Sequence, residues 1–140
     1  MRFLAPVAVC TLGAALAGCV VNQASLRCPP SLGPPILVFN VFFGRSVMGR
    51  GEVTEREWND FVSQVITPKL PHGFTVFNAN GMWLNPENYR TIREHTKVLL
   101  VALPETSDSV GVVGQIRNEY QVQFRQHSVA MAVQPACGDF

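Results

Sequence analysis

Charged side chains are scarce in this 140-residue sequence, at 15% of the residues against 47% for hydrophobic residues. That composition excludes an intrinsically disordered segment, which needs low hydrophobicity and high net charge. The 11 lysines and arginines nearly balance the 10 aspartates and glutamates, so the basic excess of a nucleic-acid-binding domain is also absent. The length allows a single domain once a targeting segment is removed.

The sequence also lacks the short motifs that identify common catalytic and cofactor sites. It has no HExxH or CxxC metal pattern, no GxSxG turn of a serine hydrolase, and no GK[ST] ending for the glycine-rich loop at 44–51. The three histidines, His72, His95 and His127, do not have the spacing of metal ligands. We therefore expect no metal ion, no cofactor and no catalytic nucleophile.

The first 18 residues are typical of a bacterial lipoprotein signal peptide. Arg2 supplies a positive charge, an uncharged apolar stretch follows, and residues 16–18 (Leu-Ala-Gly) lie directly before Cys19. This tetrad resembles the lipobox, in which the cysteine receives a diacylglycerol, the signal is cut, and the new N-terminus is acylated, typically with palmitate. An uncleaved membrane helix is the alternative, which Pro6 and the small residues disfavour.

Cleavage before Cys19 divides the chain into a signal peptide (1–18), a proline-rich tether (19–35) and a folded domain (36–140). Val20 is not the aspartate that retains enteric lipoproteins at the inner membrane, so the resemblance implies an outer-membrane protein facing the periplasm. Loss of Arg2 leaves ten basic and ten acidic side chains. We therefore expect membrane contact through the lipid anchor alone.

Apolar periodicity predicts an α+β domain with the order β-α-β-β-α-β of the ferredoxin-like sandwich, in which two helices cover one face of an antiparallel sheet. Its strand order is 4-1-3-2. An Asn80-Gly81 dipeptide, typical of type I′ turns, predicts an extra hairpin within the second strand. One helix begins at the Thr54–Glu57 capping box and the other at Ser107 or Asp108. The strands are expected at 36–43, 74–79, 97–103 and 128–134.

The two central strands are apolar on both sides, so the sheet face without helices is expected to be apolar too. Such a contiguous patch is rarely left open to water. A second subunit, the hairpin around Trp83 or a ligand can cover it, and we expect a homodimer through this face. Depending on register, the face carries one of two sets from strand one: Ile36, Val38 and Phe42, or Leu37, Phe39, Val41 and Phe43.

Cys28 and Cys137 form an even pair that an oxidising compartment can join. The end of the fourth strand lies near the start of the first in this fold, so a disulfide is geometrically reasonable, with two free thiols as the alternative.

The ends of strands one and two and the start of strand three share one edge of the predicted sheet. An aromatic ring, a carboxylate and two cations there can bind a small polar ligand or perform acid–base chemistry. The alternative, which we favour, is a structural ion pair between Arg45 and Glu94. The candidate cluster is Arg45, Ser46, Trp83, Glu94 and Lys97.

Several short segments, among them residues 42–46 (FFGRS), 73–76 (GFTV) and 97–99 (KVL), carry a resemblance to a known family. With them the chain resembles bacterial exported proteins grouped as domain of unknown function 3574, from about Phe43 onward. It departs from that pattern at Met82 and at His95. The family has no established activity, so the resemblance implies none.

These features predict a lipoprotein that acts as a non-enzymatic binding or structural module of the cell envelope. The alternative is a small enzyme of the dimeric α/β-barrel type, in which Arg45, Glu94 or Lys97 polarises a small apolar or aromatic substrate. A small-molecule ligand fits either reading, and a nucleic-acid partner fits neither because of the net charge and the compartment.

Overall fold

A computed structural model describes residues 27–139 of the chain. The predicted signal peptide 1–18 and the acylation site Cys19 lie outside the described residues. No helix within the described range is long and apolar enough to cross a membrane. The strands are β1 (Pro35–Gly44), β2 (Ser46–Val47), β3 (Gly51–Glu52), β4 (Thr75–Leu84), β5 (Thr91–Pro104) and β6 (Ala130–Cys137).

Four of these strands form one antiparallel sheet in the order β4-β5-β1-β6, which is the predicted order 4-1-3-2. β1 pairs with β5 from Ile36 opposite Pro104 to Gly44 opposite Thr96, and β6 lies along the other side of β1. The short strands β2 and β3 form a small hairpin in the loop after β1. The α+β class and the ferredoxin-like arrangement are therefore confirmed.

The helices begin where side chains cap them. Helix α1 (Glu55–Phe61) has the predicted capping box, in which the Glu57 N–H donates to the Thr54 hydroxyl and the Thr54 N–H donates to the Glu57 carboxylate. A π-helical turn (Val62–Ile66) and a short helix α2 (Thr67–Lys69) continue it. Helix α3 (Ser107–Phe124) is capped by Thr106 rather than by Ser107 or Asp108 as predicted, because the Thr106 hydroxyl accepts the Ser109 N–H.

The hairpin predicted at Asn80-Gly81 is wrong. β4 runs unbroken through both residues and pairs with β5, which begins six residues before the predicted strand. The chain turns at residues 85–90 instead. A Cβ at position 81 would lie 3.0 Å from the Thr96 hydroxyl, so Gly81 permits close contact with β5 rather than a turn.

The core lies between the helices and one face of the sheet. Phe39, Val41 and Phe43 of β1 point into it and are fully buried. The ring of Tyr120 lies at its centre, 4.8 Å from the ring of Phe43 and 4.7 Å from that of Phe124 between centroids. Because strand residues alternate between faces, the opposite face carries the other predicted set: Ile36, Val38 and Phe42.

Cys28 and Cys137 form a disulfide, as predicted. Cys137 ends β6 opposite Pro35, the first residue of β1, so the bond joins the segment before the sheet to its last strand. The bond closes a loop with a sequence separation of 109 residues, and cross-links across long loops restrict the unfolded chain most.

We expect the double variant Cys28→Ser/Cys137→Ser to lose about 4–5 kcal/mol of unfolding free energy, from the loop-entropy relation. Urea unfolding without reductant measures the loss. The wild-type chain in reductant serves as the control and should unfold with the double variant; coincident curves for the oxidised wild type and the variant would contradict the prediction.

Hydrogen bonds from Arg50 and from Thr54 lower the pKa of Glu57 from 4.5 to about 2. A lowered folded-state pKa stabilises the fold above the unfolded pKa, and this stabilisation is lost as the pH falls from 4.5 to about 2. We expect Glu57→Gln to reduce stability at neutral pH and to flatten its decline across that window. Urea unfolding at several pH values tests this, and Glu105→Gln, at an exposed residue that forms no ion pair with residues 27–139, should retain the wild-type slope.

Candidate functional site

A buried lysine lies at the end of the core. β5 places Lys97 opposite Phe43 on one side and Asn78 on the other, so its side chain shares the helix-covered face with the core. Only 5% of Lys97 is exposed. Its Nζ donates to Oδ1 of Asn78 at 2.6 Å and to Oε2 of Glu55 at 2.8 Å, and it lies 5.9 Å from the ring centroid of Trp58. Such a charge requires partners because burial removes its water.

Glu55 joins this lysine to a second cation. Its other oxygen, Oε1, accepts from Nη1 of Arg45 at 2.7 Å. Arg45 is held in turn by its Nε, which donates to the carbonyl of Val53 at 2.8 Å. The hydrogen bond from Lys97, with the positive charges of Lys97 and Arg45, holds the pKa of Glu55 below its usual value. We call Arg45, Glu55 and Lys97 the charged triad; two cations and one anion leave it with one positive charge in excess.

A cleft of about 340 Å³ opens beside the charged triad. It lies where the β4–β5 hairpin extends past β1, whose last pair with β5 is Gly44 opposite Thr96. Lys97 does not line the cleft and lies behind two residues that do. The lining residues are Arg45, Glu55, Asn78, Ala79, Asn80, His95 and Thr96. A cleft of this volume accommodates a small organic molecule.

The five residues of the predicted cluster lie on two faces of the sheet. Glu94 and Lys97 are three positions apart, an odd number, so the pleat turns them to opposite faces. Lys97 faces the helices with Arg45 nearby, whereas Glu94 and Trp83 lie on the face turned away from the helices. The ion pair expected between Arg45 and Glu94 is not formed, because Arg45 binds Glu55.

Glu94 holds the loop after β1 instead. Its Oε1 accepts the backbone N–H of Ser46 at 2.9 Å. A Cβ at position 44 would lie 2.6 Å from the same oxygen, so Gly44 leaves room for the carboxylate. The carbonyl of Gly44 accepts a hydrogen bond from the Tyr120 hydroxyl, whose pKa burial raises. The structure thus brings Ser46 to Glu94 and, separately, Arg45 to Lys97.

Sequence reasoning missed two residues of the site. Glu55 directly follows the Thr54 cap, and a carboxylate in the first turn of a helix was read only as a helix signal. Asn78 was missed because of the turn wrongly predicted at Asn80-Gly81. Only a continuous β4 has the register that places Asn78 opposite Lys97. Arg50, in the same loop after β1, binds Glu57 at 2.6 Å and does not join the cluster.

His95 lies at the rim of the cleft, with Nδ1 3.0 Å from Oε1 of Glu52. His72 and His127 lie on other segments, after α2 and after α3. Within residues 27–139, no group of three or more histidine, cysteine, aspartate or glutamate side chains is placed to hold a metal ion.

Two solved structures share this fold. One is a phage SAM lyase in complex with S-methyl-5′-thioadenosine, with a TM-score of 0.58 and 19% sequence identity. The other is a phage SAM lyase in the apo state, with a TM-score of 0.55 and 18% identity. Both alignments cover 79% of this chain and 87% of the other chain.

These comparisons contradict the expectation that the protein is a non-enzymatic binding or structural module. The fold that we expected to serve binding or structure is the fold of an enzyme, which favours the alternative, a small enzyme. At this level of identity the likeness establishes the fold alone, and the chemistry has to come from the cleft.

The sequence comparison agrees with the resemblance noted from the short motifs. No curated protein matches the chain significantly. The model of the family described as "Protein of unknown function (DUF3574)" matches residues 39–140, which include nearly all of the sheet and every helix after β1. The chain therefore belongs to the DUF3574 family.

Proposed function

We propose that this protein is a small lyase that cleaves a carbon–sulfur bond in a sulfonium compound bearing a carboxylate. The observation that carries the proposal is the charged triad, with its excess positive charge, beside a cleft of about 340 Å³. The fold of the solved SAM lyases supports the reaction type.

Arg45 is the residue that would bind the carboxylate. Its side chain is 14% exposed and lines the cleft, and its guanidinium can form paired hydrogen bonds with a carboxylate. The side chains of Asn78 and Asn80 offer further donors in the same lining. Lys97 is a positioning residue, because it holds Glu55 and adds positive potential from behind the cleft wall.

The excess charge also suits the proposed chemistry. When the C–S bond of a sulfonium breaks, its electron pair stays on sulfur, which becomes a neutral thioether. The substrate's own carboxylate attacks the carbon that loses sulfur and closes a lactone ring, so no further reactant is needed. The excess positive charge of the triad opposes the sulfonium more than the transition state, in which the charge on sulfur is already falling. The carboxylate bound by Arg45 supplies the binding energy that holds the substrate there.

We expect the full-length chain to convert S-adenosylmethionine to S-methyl-5′-thioadenosine faster than a blank without protein. Lys97→Met should lower the rate at least about tenfold, because it removes the excess charge and one of the two cations that hold Glu55. Chromatography with mass detection measures the product. Lys69→Met is the matched control, since Lys69 loses the same charge from a pair with Glu119 at 3.1 Å on helices that do not line the cleft.

Binding of two related compounds tests the carboxylate separately. S-methyl-5′-thioadenosine and S-adenosylhomocysteine are both thioethers without the sulfonium charge, but only the second has the carboxylate, so the first should bind the chain more weakly in calorimetry. Equal affinity for the two, equal rates for Lys97→Met and wild type, or no product above the blank would each count against the proposal.

We also propose that the chain is exported and anchored at Cys19 to the outer membrane, on its periplasmic side. The signal-like first 18 residues support this, and so does the Cys28–Cys137 disulfide, since such bonds persist in oxidising compartments. S-adenosylmethionine is then a probe of the cleft, and the natural substrate is a sulfonium carboxylate present outside the cytoplasm.

We expect Cys19→Ser to abolish incorporation of labelled palmitate and to leave the uncleaved 140-residue precursor. Cys10→Ser, the control within the same segment, should be labelled and cleaved like the wild type. Labelling in cells followed by gel electrophoresis distinguishes the two. Palmitate retained by Cys19→Ser would show that the anchor is elsewhere.

A further inference from the structure

The sheet face turned away from the helices, here called the open face, is largely apolar; its polar side chains are Asn40, Thr75, Glu94, Thr96 and Gln134. Phe42 of β1 lies opposite Val98 of β5, and Phe77 of β4 lies on the other side of Val98. Phe42 is 39% exposed and Phe77 is 50% exposed. Three neighbouring strands thus present a continuous apolar row to the outside.

The area of this face approaches that of one side of a standard protein interface. Four strands about 4.8 Å apart and about nine residues long at about 3.3 Å per residue span roughly 600 Å². Monomers rarely expose a larger apolar patch, and a standard interface buries about 800 Å² on each partner. A second copy of the same face has the matching dimensions.

The distribution of charge on the open face favours a second copy of this chain as the partner. Of the residues that the register of β1, β4, β5 and β6 places on the open face, Glu94 alone is charged. It lies toward one end, beyond the β1 ladder, and accepts the Ser46 N–H. Two copies can therefore stack through the centre of this face without placing like charges together.

One polar side chain lies at the centre of the open face. Asn40 is opposite Leu100 of β5 and Ala132 of β6, in the middle of the central strand. It is half-buried, and its amide makes no hydrogen bond to the rest of the chain between residues 27 and 139. An amide both donates and accepts, so two copies of Asn40 related by a two-fold axis satisfy each other.

We propose that two copies of this chain stack open face to open face about a two-fold axis that passes near Asn40, with the two amides hydrogen-bonded. A polar side chain at the centre of a largely apolar interface fixes its register in this way. The anchored chain also has a bilayer nearby, but lipid would leave the Asn40 amide unsatisfied at the centre of the contact. The inference does not rest on the lyase proposal, because the cleft lies on the other side of the sheet.

Cross-linking tests the position of the axis in the full-length protein in cells. Stacked sheets lie about 10 Å apart, and a disulfide needs Cα atoms within about 7 Å, so a cysteine at position 40 cannot oxidise to a dimer directly. A short bismaleimide can span the gap. We expect Asn40→Cys to give a cross-linked dimer, and Val122→Cys, at an 81% exposed position on α3, to give the wild-type background.

A charge on the open face should separate the copies. Phe42→Glu should raise the dimer dissociation constant at least about a hundredfold, whereas Val122→Glu should leave it unchanged. Native mass spectrometry of the extracted full-length protein measures this, and formation of the Cys28–Cys137 bond checks that each variant folds.

Two results would overturn the proposal: an Asn40→Cys chain that the reagent modifies only as a monomer or not at all, or a Phe42→Glu chain that dimerises like the wild type. Lys97→Met distinguishes this proposal from the lyase proposal, because it should lose activity and retain the dimer.

Discussion

The antiparallel pairing of β1 with β5 is the constraint on which both surfaces of interest depend. One register places Phe43 opposite Lys97 and Phe42 opposite Val98. The first pair puts an ammonium group at the edge of an aromatic core, where Glu55 and Asn78 must solvate it. The second pair leaves hydrocarbon on the outside. A shift of one residue would exchange the two faces, removing the charged triad and burying the row of the open face.

Much of the fold is readable from the sequence because local rules and burial point the same way. The capping box at Thr54 has both partners three residues apart. The uninterrupted apolar run of β1, rich in β-branched and aromatic residues, is typical of a central strand. The cysteine pairing then follows from topology, since strand four must return beside strand one. The family resemblance covers the same region, and its match from residue 39 onward confirms it.

The errors have one physical origin: local patterns do not state which face of a strand a residue occupies. Asn80-Gly81 favours a turn in isolation, but the cross-strand hydrogen bonds to His95 and Glu94 outweigh that preference. Starting the next strand at residue 97 instead of at Thr91 also loses the alternation that separates Glu94 from Lys97. The predicted cluster therefore merged two sites, and Asn78 was absent from both. The functional expectation failed for a related reason, since a site without a nucleophile or metal motif carries no sequence signature.

The disulfide has a mechanical consequence for a chain held at Cys19. Because Cys28 is bonded to the end of β6, only eight residues (20–27) lie between the proposed anchor point and the sheet. At about 3.5 Å per residue, the segment from Cys19 to Cys28 spans no more than about 30 Å, even though the proline-rich segment continues to Pro35. Reduction of the bond would release at most the six residues up to Pro34, whose carbonyl accepts the Gly138 N–H, and would let the domain move outward by up to about 20 Å. The reach of the protein above the bilayer would thus follow the redox state of its surroundings.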